Sequence, residues 1–213
     1  MMGIAEAARQ SDDVLRPIVA FDFDGTLTWR DSFTAFLAWR MGAARYGFGL
    51  ARLAPAAILY GLHRDRGRLK AAAIGQFLGG LPRAELEAEA RRFAARRSTR
   101  LLRPDALRCW RRWGNQGARR VIVTASPEIL VAPFAQHLRA DYLIGTRLVF
   151  DAEGRVTGAL EGANCRGPEK VARLRAALGV DVRLEAAYGD SDGDHDMLAL
   201  AKDARLRAFR QRP

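Results

Sequence analysis

Short apolar runs closed by turn residues alternate with longer amphipathic stretches along most of the chain, the pattern of strands alternating with helices. Apolar runs predict strands over residues 18–23, 120–124 and 184–188. Helical spacing predicts helices over 127–137, 168–178 and 194–202, the second closed by Gly179. Two β-prone runs within 142–160, separated by residues 151–154, predict a hairpin. From 32 to 104 the pattern changes, because "RDSFTAFLAWRMG" and "ELEAEARRFAARR" are helical in spacing and no convincing strand occurs. The predicted class is α/β, with an all-helical insertion placed above the sheet end where the first strand stops.

Composition narrows this picture only a little. A chain of 213 residues has ample material for one buried core carrying an insertion. The formal net charge is +11, yet only Lys70, Lys170 and Lys202 are lysines, so the excess is arginine and no nucleic-acid-binding signature accompanies it. No nucleic-acid partner is expected. Cys109 and Cys165 form no metal-type pair, and the leading stretch "MMGIAEAARQSDDV" lacks the apolar core of a signal peptide. Both features point to the cytoplasm. Residues 46–62 are apolar except for Arg52, too short and Pro-interrupted to span a bilayer. They are expected to form the interior of the insertion, a dimer interface, or a surface lying on the inner membrane.

Four places carry candidate chemistry. In "IVAFDFDGTLTWRDSF", Asp22 and Asp24 end an apolar run with no cation between them, and in a parallel sheet the strand carboxyl ends are where ligands bind. In "GDSDGDHDML", Asp190, Asp192, Asp194 and Asp196 crowd one loop. A calcium loop of the EF-hand type would put Gly where His195 stands and Glu where Ala201 stands, so a magnesium site built from two strand ends fits better. In "RRVIVTASPEIL", Thr124 ends a strand, while Ser126 and Pro127 suit a capped helix start able to cradle an anion. In "CRGPEKVARL", Lys170 sits in a first helical turn, where the dipole disfavours a cation unless a bound anion offsets it.

The order DxDGT, an apolar strand ending in Thr, Lys, then GDSxxD resembles the haloacid dehalogenase-like (HAD) phosphatase superfamily, in its phosphoserine-phosphatase-like branch. The resemblance implies a Rossmann-like three-layer core formed by residues 1–31 and 105–213, with a helical cap over 32–104. It implies Asp22 as nucleophile forming an aspartyl-phosphate and Asp24 as acid/base. It implies Mg²⁺ held by Asp22, the Asp24 backbone carbonyl, Asp190 and Asp194. Thr124, Lys170 and the backbone near Ala125 would hold the phosphoryl oxygens.

Substrate is less legible. Phosphoserine phosphatases usually carry Glu nine positions after the nucleophile and Gly-Gly after the second motif, whereas this chain has Asp31 and Ala125-Ser126-Pro127. "FDFDGTLTWRDSF", "TASPEIL" and "CRGPEKVARL" are similar to the phosphatidylglycerophosphatase C group, which implies a lipid head-group phosphate and peripheral membrane contact through the cap. A small soluble ester such as phosphoserine is the second expectation. A non-catalytic anion- or nucleic-acid-binding relic is a third, and it has no need of Asp24. A dehalogenase is disfavoured by Asp24 and the acidic loop.

Overall fold

The structure, a computed structural model, describes residues 16–63 and 65–213; the leading stretch read as lacking a signal peptide lies outside them. Six strands form one sheet in the order β4-β3-β2-β1-β5-β6. These are β1 (Ile18–Phe21), β2 (Arg119–Pro127), β3 (Tyr142–Phe150), β4 (Val156–Glu161), β5 (Leu184–Gly189) and β6 (Ala201–Leu206). All neighbours pair parallel except β3 and β4, the predicted hairpin, which pair antiparallel. The central strands are buried on both faces, as the run Val19, Ala20 and Phe21 shows, which is why they read as continuous apolar runs instead of alternating ones.

Helices α1 (Ser32–Met41), α2 (Ala43–Arg52), α3 (Ala54–His63), α4 (Arg66–Leu78) and α5 (Arg83–Leu101) follow β1 without a strand of the sheet between them. Outgoing and returning chains run side by side: Trp29 N–H donates to Leu101 O (3.0 Å) and Arg103 N–H to Leu27 O (2.8 Å). The helical segment shares its core with the sheet layer. Phe36 of α1 meets Phe93 of α5 edge-on at 5.4 Å, and Phe93 in turn meets Phe134 at 6.0 Å, which packs on Phe23 at 5.4 Å. At its far end α4 lies directly on β4, where a Cβ on Gly158 (φ 93°) would stand 2.8 Å from Gly75 Cα, so this seam closes only without a side chain.

The remaining helices are α6 (Pro104–Asn115), α7 (Glu128–Leu138), α8 (Pro168–Leu178) and the single turn α9 (His195–Leu198). The helix expected over 194–202 is corrected: it stops at Leu198, and Ala201 begins β6, paired with Leu184. Charged, largely exposed side chains such as Lys202, Asp203 and Arg205 hide this edge strand from a hydrophobic reading. The strand expected over 18–23 ends at Phe21, because the backbone at Asp24 (ψ 123°) and Gly25 (φ 82°) turns the chain out of the sheet into an irregular loop. Cys109 and Cys165 are both unpaired.

The carboxyl-terminal tail is pinned to α6. Asp105 Oδ2 accepts the backbone N–H groups of Arg210 (2.7 Å) and Gln211 (3.0 Å). Burial alone would raise the Asp105 pKa, but the N–H groups of Gln211, Arg210 and Ala106 outweigh it and leave the carboxyl below its ordinary value. A depressed folded pKa means this tether contributes fully above the unfolded value and is lost as pH falls through the folded one. Amide exchange at Arg210 and Gln211 is therefore expected to accelerate below about pH 4 and, at neutral pH, in Asp105→Ala. Unchanged protection in that variant would count against the tether.

Candidate active site

The carboxyl ends of β2, β1 and β5 open into a cavity of about 770 Å³, roofed by α2, α3 and α4. Asp22 follows β1 directly, its N–H donating to Tyr188 O (2.9 Å) on β5, and its side chain is buried. Gly25, at φ 82°, turns the chain back; a Cβ there would lie 2.2 Å from Asp190 Oδ2, so the glycine lets the loop after β5 come against the loop after β1.

Asp22, Asp190 and Asp194 each offer a carboxylate oxygen within 4.8 Å of the others. Buried Lys170 answers part of that charge, donating from Nζ to Asp22 Oδ1 (2.6 Å), Asp194 Oδ1 (2.6 Å) and Val123 O (2.7 Å). These three bonds use all the donors of an ammonium. Burial disfavours the Lys170 charge, but Asp22 and Asp194 outweigh it and its pKa rises. Asp194, though buried, receives the most hydrogen bonds of the three acids, its Oδ2 accepting Asp190 N–H, Ser191 N–H and the Ser191 hydroxyl. Burial would raise its pKa, yet Lys170 and those donors hold it below the usual carboxylate range.

Asp22 fares differently. Burial pushes its pKa up to about 7, with Lys170 lowering it and the charges of Asp194 and Asp24 raising it further. Burial followed by the Asp194 charge raises Asp190 as well. One ammonium does not offset three carboxylates, so the cluster has the donor set and the unmet negative charge that suit a hard divalent cation.

Asp24 points elsewhere. Its Oδ1 accepts Ser32 N–H (2.6 Å) at the start of α1, and its Oδ2 accepts the Ser126 hydroxyl (2.5 Å). Its carboxylate therefore stands outside the three-acid cluster. Burial pushes its pKa up to about 6; Asp31 adds to the rise, while Ser126 and Ser32 oppose it. Ser126 was expected to cap the next helix, and that is corrected: the capping position of α7 is Pro127, without a side-chain bond, because the Ser126 hydroxyl is spent on Asp24.

Ala125 reaches the cavity wall, where the register shift between Val123 and Pro127 interrupts the ladder with β3. Thr124 lies behind that wall, fully buried, its Oγ1 accepting Ser126 N–H (3.0 Å). The fold thus brings Asp22, Asp24, Ala125, Lys170, Asp190 and Asp194 to one cavity. Asp192 and Asp196, also flagged in the acidic loop, are absent from that wall.

Sequence reasoning missed Lys70. From α4 its Nζ donates to Ala125 O (2.5 Å) and Asn164 Oδ1 (3.0 Å), beside the Thr146 hydroxyl, which also donates to Ala125 O (2.7 Å). The signal was available, since lysine is as exceptional at position 70 as at 170 in so arginine-rich a chain. Packing inside the insertion, one of the alternatives for residues 46–62, is met only in part: Tyr46 and Leu53 lie against the core, whereas four large apolar side chains face outward. Phe48 is 68% exposed, Ile58 66%, Leu59 56% and Leu50 46%, although Leu50 and Leu53 also line the cavity.

A profile described as haloacid dehalogenase-like hydrolase matches residues 19–199. The chain is 57% identical to Protein CicA of Caulobacter vibrioides over 196 residues, 92% of this chain and 88% of that protein. A protein of unknown function from Bordetella pertussis Tohama I has a similar structure, with a TM-score of 0.72 at 25% identity, covering 90% of this chain and 88% of that one. A phospho-aspartyl intermediate analogue of phosphoserine phosphatase gives 0.61 at 22% identity, covering 87% and 83%. A phosphoserine phosphohydrolase-like protein from Francisella tularensis gives 0.63 at 18%, covering 89% and 85%. At such identities the last two speak for a shared fold.

Proposed function

The chain belongs to the haloacid dehalogenase-like hydrolase family, and from that premise we propose that it is a Mg²⁺-dependent phosphomonoesterase working through an aspartyl-phosphate on Asp22. One observation carries the reading: three acids converge within 4.8 Å around a buried lysine, while a fourth, two residues after the first, is held apart with a pKa of about 6.

In this reading an Asp22 carboxylate oxygen attacks phosphorus as the ester oxygen departs. Asp24, positioned by Ser32 and Ser126 and poised near neutrality, gives its proton to that departing oxygen. A water then attacks the aspartyl-phosphate, Asp24 takes its proton, and Asp22 and inorganic phosphate are released. Asp22, the Asp24 backbone carbonyl, Asp190 and Asp194 would hold Mg²⁺, which supplies positive charge at the phosphoryl oxygens when bound. Lys170 and the Ala125 backbone would hold the phosphoryl oxygens, Lys170 exchanging a carboxylate for one of them, while the Thr124 hydroxyl expected to join them lies behind the wall and would support the Ser126 N–H instead.

The leading substrate is a phospholipid head-group phosphate such as phosphatidylglycerophosphate. Its support is the apolar cavity wall of Leu50, Leu53, Ala57 and Leu69, continuous through α2 and α3 with exposed Phe48, Ile58 and Leu59. No acid occurs between Asp31 and Asp65, so this face suits an anionic leaflet. No helix among the described residues is long and apolar enough to cross a membrane, so contact would be peripheral. A small soluble ester is the second reading, favoured by Asp31 on the cavity wall, where it could meet a substrate amine.

A panel of phosphate esters tests both, with lipid phosphates presented in detergent and in anionic vesicles. Phosphate release is expected with Mg²⁺ and is expected to vanish with chelator. Faster turnover of soluble esters than of every lipid phosphate would overturn the lipid reading; no release from any ester would overturn the phosphatase.

A further inference from the structure

Two arginines outside the cavity wall spend their side chains on backbone carbonyls next to the acid cluster. Arg103, the residue before α6, shares its Nε–H between Gly25 O and Thr28 O (3.2 Å each) and donates from Nη1 to Gln211 O (3.1 Å). Arg207, the residue after β6, donates from Nε to Asp190 O (3.0 Å). Among the described residues neither arginine forms an ion pair with a carboxylate. A positive charge near a cation site repels the occupant, so charge alone does not account for placing two of them here.

What the two guanidinium groups hold is the contact between the acid-bearing loops. A Cβ on Gly25 would stand 2.2 Å from Asp190 Oδ2, so the loop after β1 and the loop after β5 touch at this point. On one side Arg103 fixes the Gly25 carbonyl, and with it the φ of 82° that aims the preceding Asp24 carbonyl. On the other Arg207 fixes the Asp190 carbonyl, while its own N–H donates to Gly189 O (2.8 Å). Arg207 makes both bonds from a left-handed backbone, φ 54°, which a residue other than glycine adopts at a cost and keeps where its surroundings impose it. Between the two arginines, Phe209 packs on Tyr188 of β5 at 5.2 Å, and the Asp105 tether holds the N–H groups of Arg210 and Gln211. Residues 207–211 thus form a strap that joins Asp190 to Arg103 and, through it, to the loop after β1.

We infer that Arg103 and Arg207 are positioning residues that fix the Asp24 carbonyl and Asp190 against one another as ligands for the divalent cation, joined by the strap of residues 207–211. This rests on the Mg²⁺ part of the phosphomonoesterase reading. It deepens that reading by assigning the alignment of the ligand set to two side chains that touch neither metal nor substrate.

The test is Mg²⁺ titrated calorimetrically into metal-free full-length protein without substrate, alongside urea midpoints in chelator. Arg103→Met keeps the apolar stem and removes the donors, and Arg207→Gly removes the guanidinium while leaving a residue that adopts φ 54° freely. Each variant is expected to bind Mg²⁺ about tenfold more weakly than wild type, the scale set by partners one layer behind a metal's ligands. The midpoint of Arg207→Gly is expected to stay near the wild-type value. Loss of a nearby positive charge would by itself tighten Mg²⁺ binding, so the direction of the change separates positioning from charge. Affinities equal to or tighter than wild type in both variants would overturn the brace. So would a loss confined to Arg103→Met and matched by a lower midpoint, since that arginine would then only support the fold. Absence of saturable Mg²⁺ binding in the wild type would strike the Mg²⁺-dependent reading and the brace with it, whereas absence of turnover in the ester panel would strike the phosphatase alone.

Discussion

Asp22→Asn is expected to reduce phosphate release by more than about 10⁴-fold while the protein remains folded. The amide is close to isosteric but cannot attack phosphorus, so no covalent intermediate forms. Folding survives because Lys170 keeps Asp194 Oδ1 at 2.6 Å and Val123 O at 2.7 Å. Relief of charge adds to this. With burial pushing the Asp22 pKa up to about 7, the folded state holds that proton where the unfolded chain, with an ordinary value near 4, has already released it. In chelator, the Asp22 contribution to stability therefore falls as pH rises from about 4 to about 7, and Asp22→Asn removes that slope. Turnover and a urea melt at several pH values check both halves. Unchanged turnover in the variant would refute the nucleophile, and an unchanged slope would refute the electrostatic account of its burial.

Lys170→Met should be the most destabilising single change at the site. The side chain is fully buried, and its removal leaves Asp22 and Asp194 facing one another with no counter-charge. Breaking a buried ion pair from one side typically costs about 3–5 kcal/mol, against a total stability of about 5–15 kcal/mol for a domain. The urea midpoint in chelator is expected to drop accordingly, and Mg²⁺ should restore more stability to this variant than to the wild type, because a cation at the three acids replaces the missing charge. A midpoint within error of wild type would show that Lys170 is not what holds these carboxylates together. Lys70→Gln makes a useful contrast: its ammonium bonds only neutral oxygens, so its loss strands no charge.

Asp22, Asp24, Lys170, Asp190 and Asp194 were legible before any fold, because each stands at a boundary that local rules mark: an acid after an apolar run, a cation in a first helical turn, carboxylates crowded around glycine. The parallel strands and the hairpin were legible for the same reason, since residue period and turn chemistry act over a few neighbours. Ser126 was misread because its local surroundings describe a helix cap with equal force. What directs its hydroxyl to Asp24, 102 positions away, is the pairing of β1 with β2. Strand β6 escaped because an edge strand with charged, exposed side chains carries no apolar signature and is defined by its partner, β5.

Sequence alone therefore determined which chemical groups the chain carries and the order in which strands, helices and acids follow one another. The tertiary structure decided which of them meet. Strand order puts Lys170 against Asp22 across 148 positions, and the packing of α4 on β4 puts Lys70 over Ala125 while α2 and α3 keep Phe48 and Ile58 in solvent. Those distances depend on register and close approach between segments far apart in the chain, and no local pattern of residues encodes them.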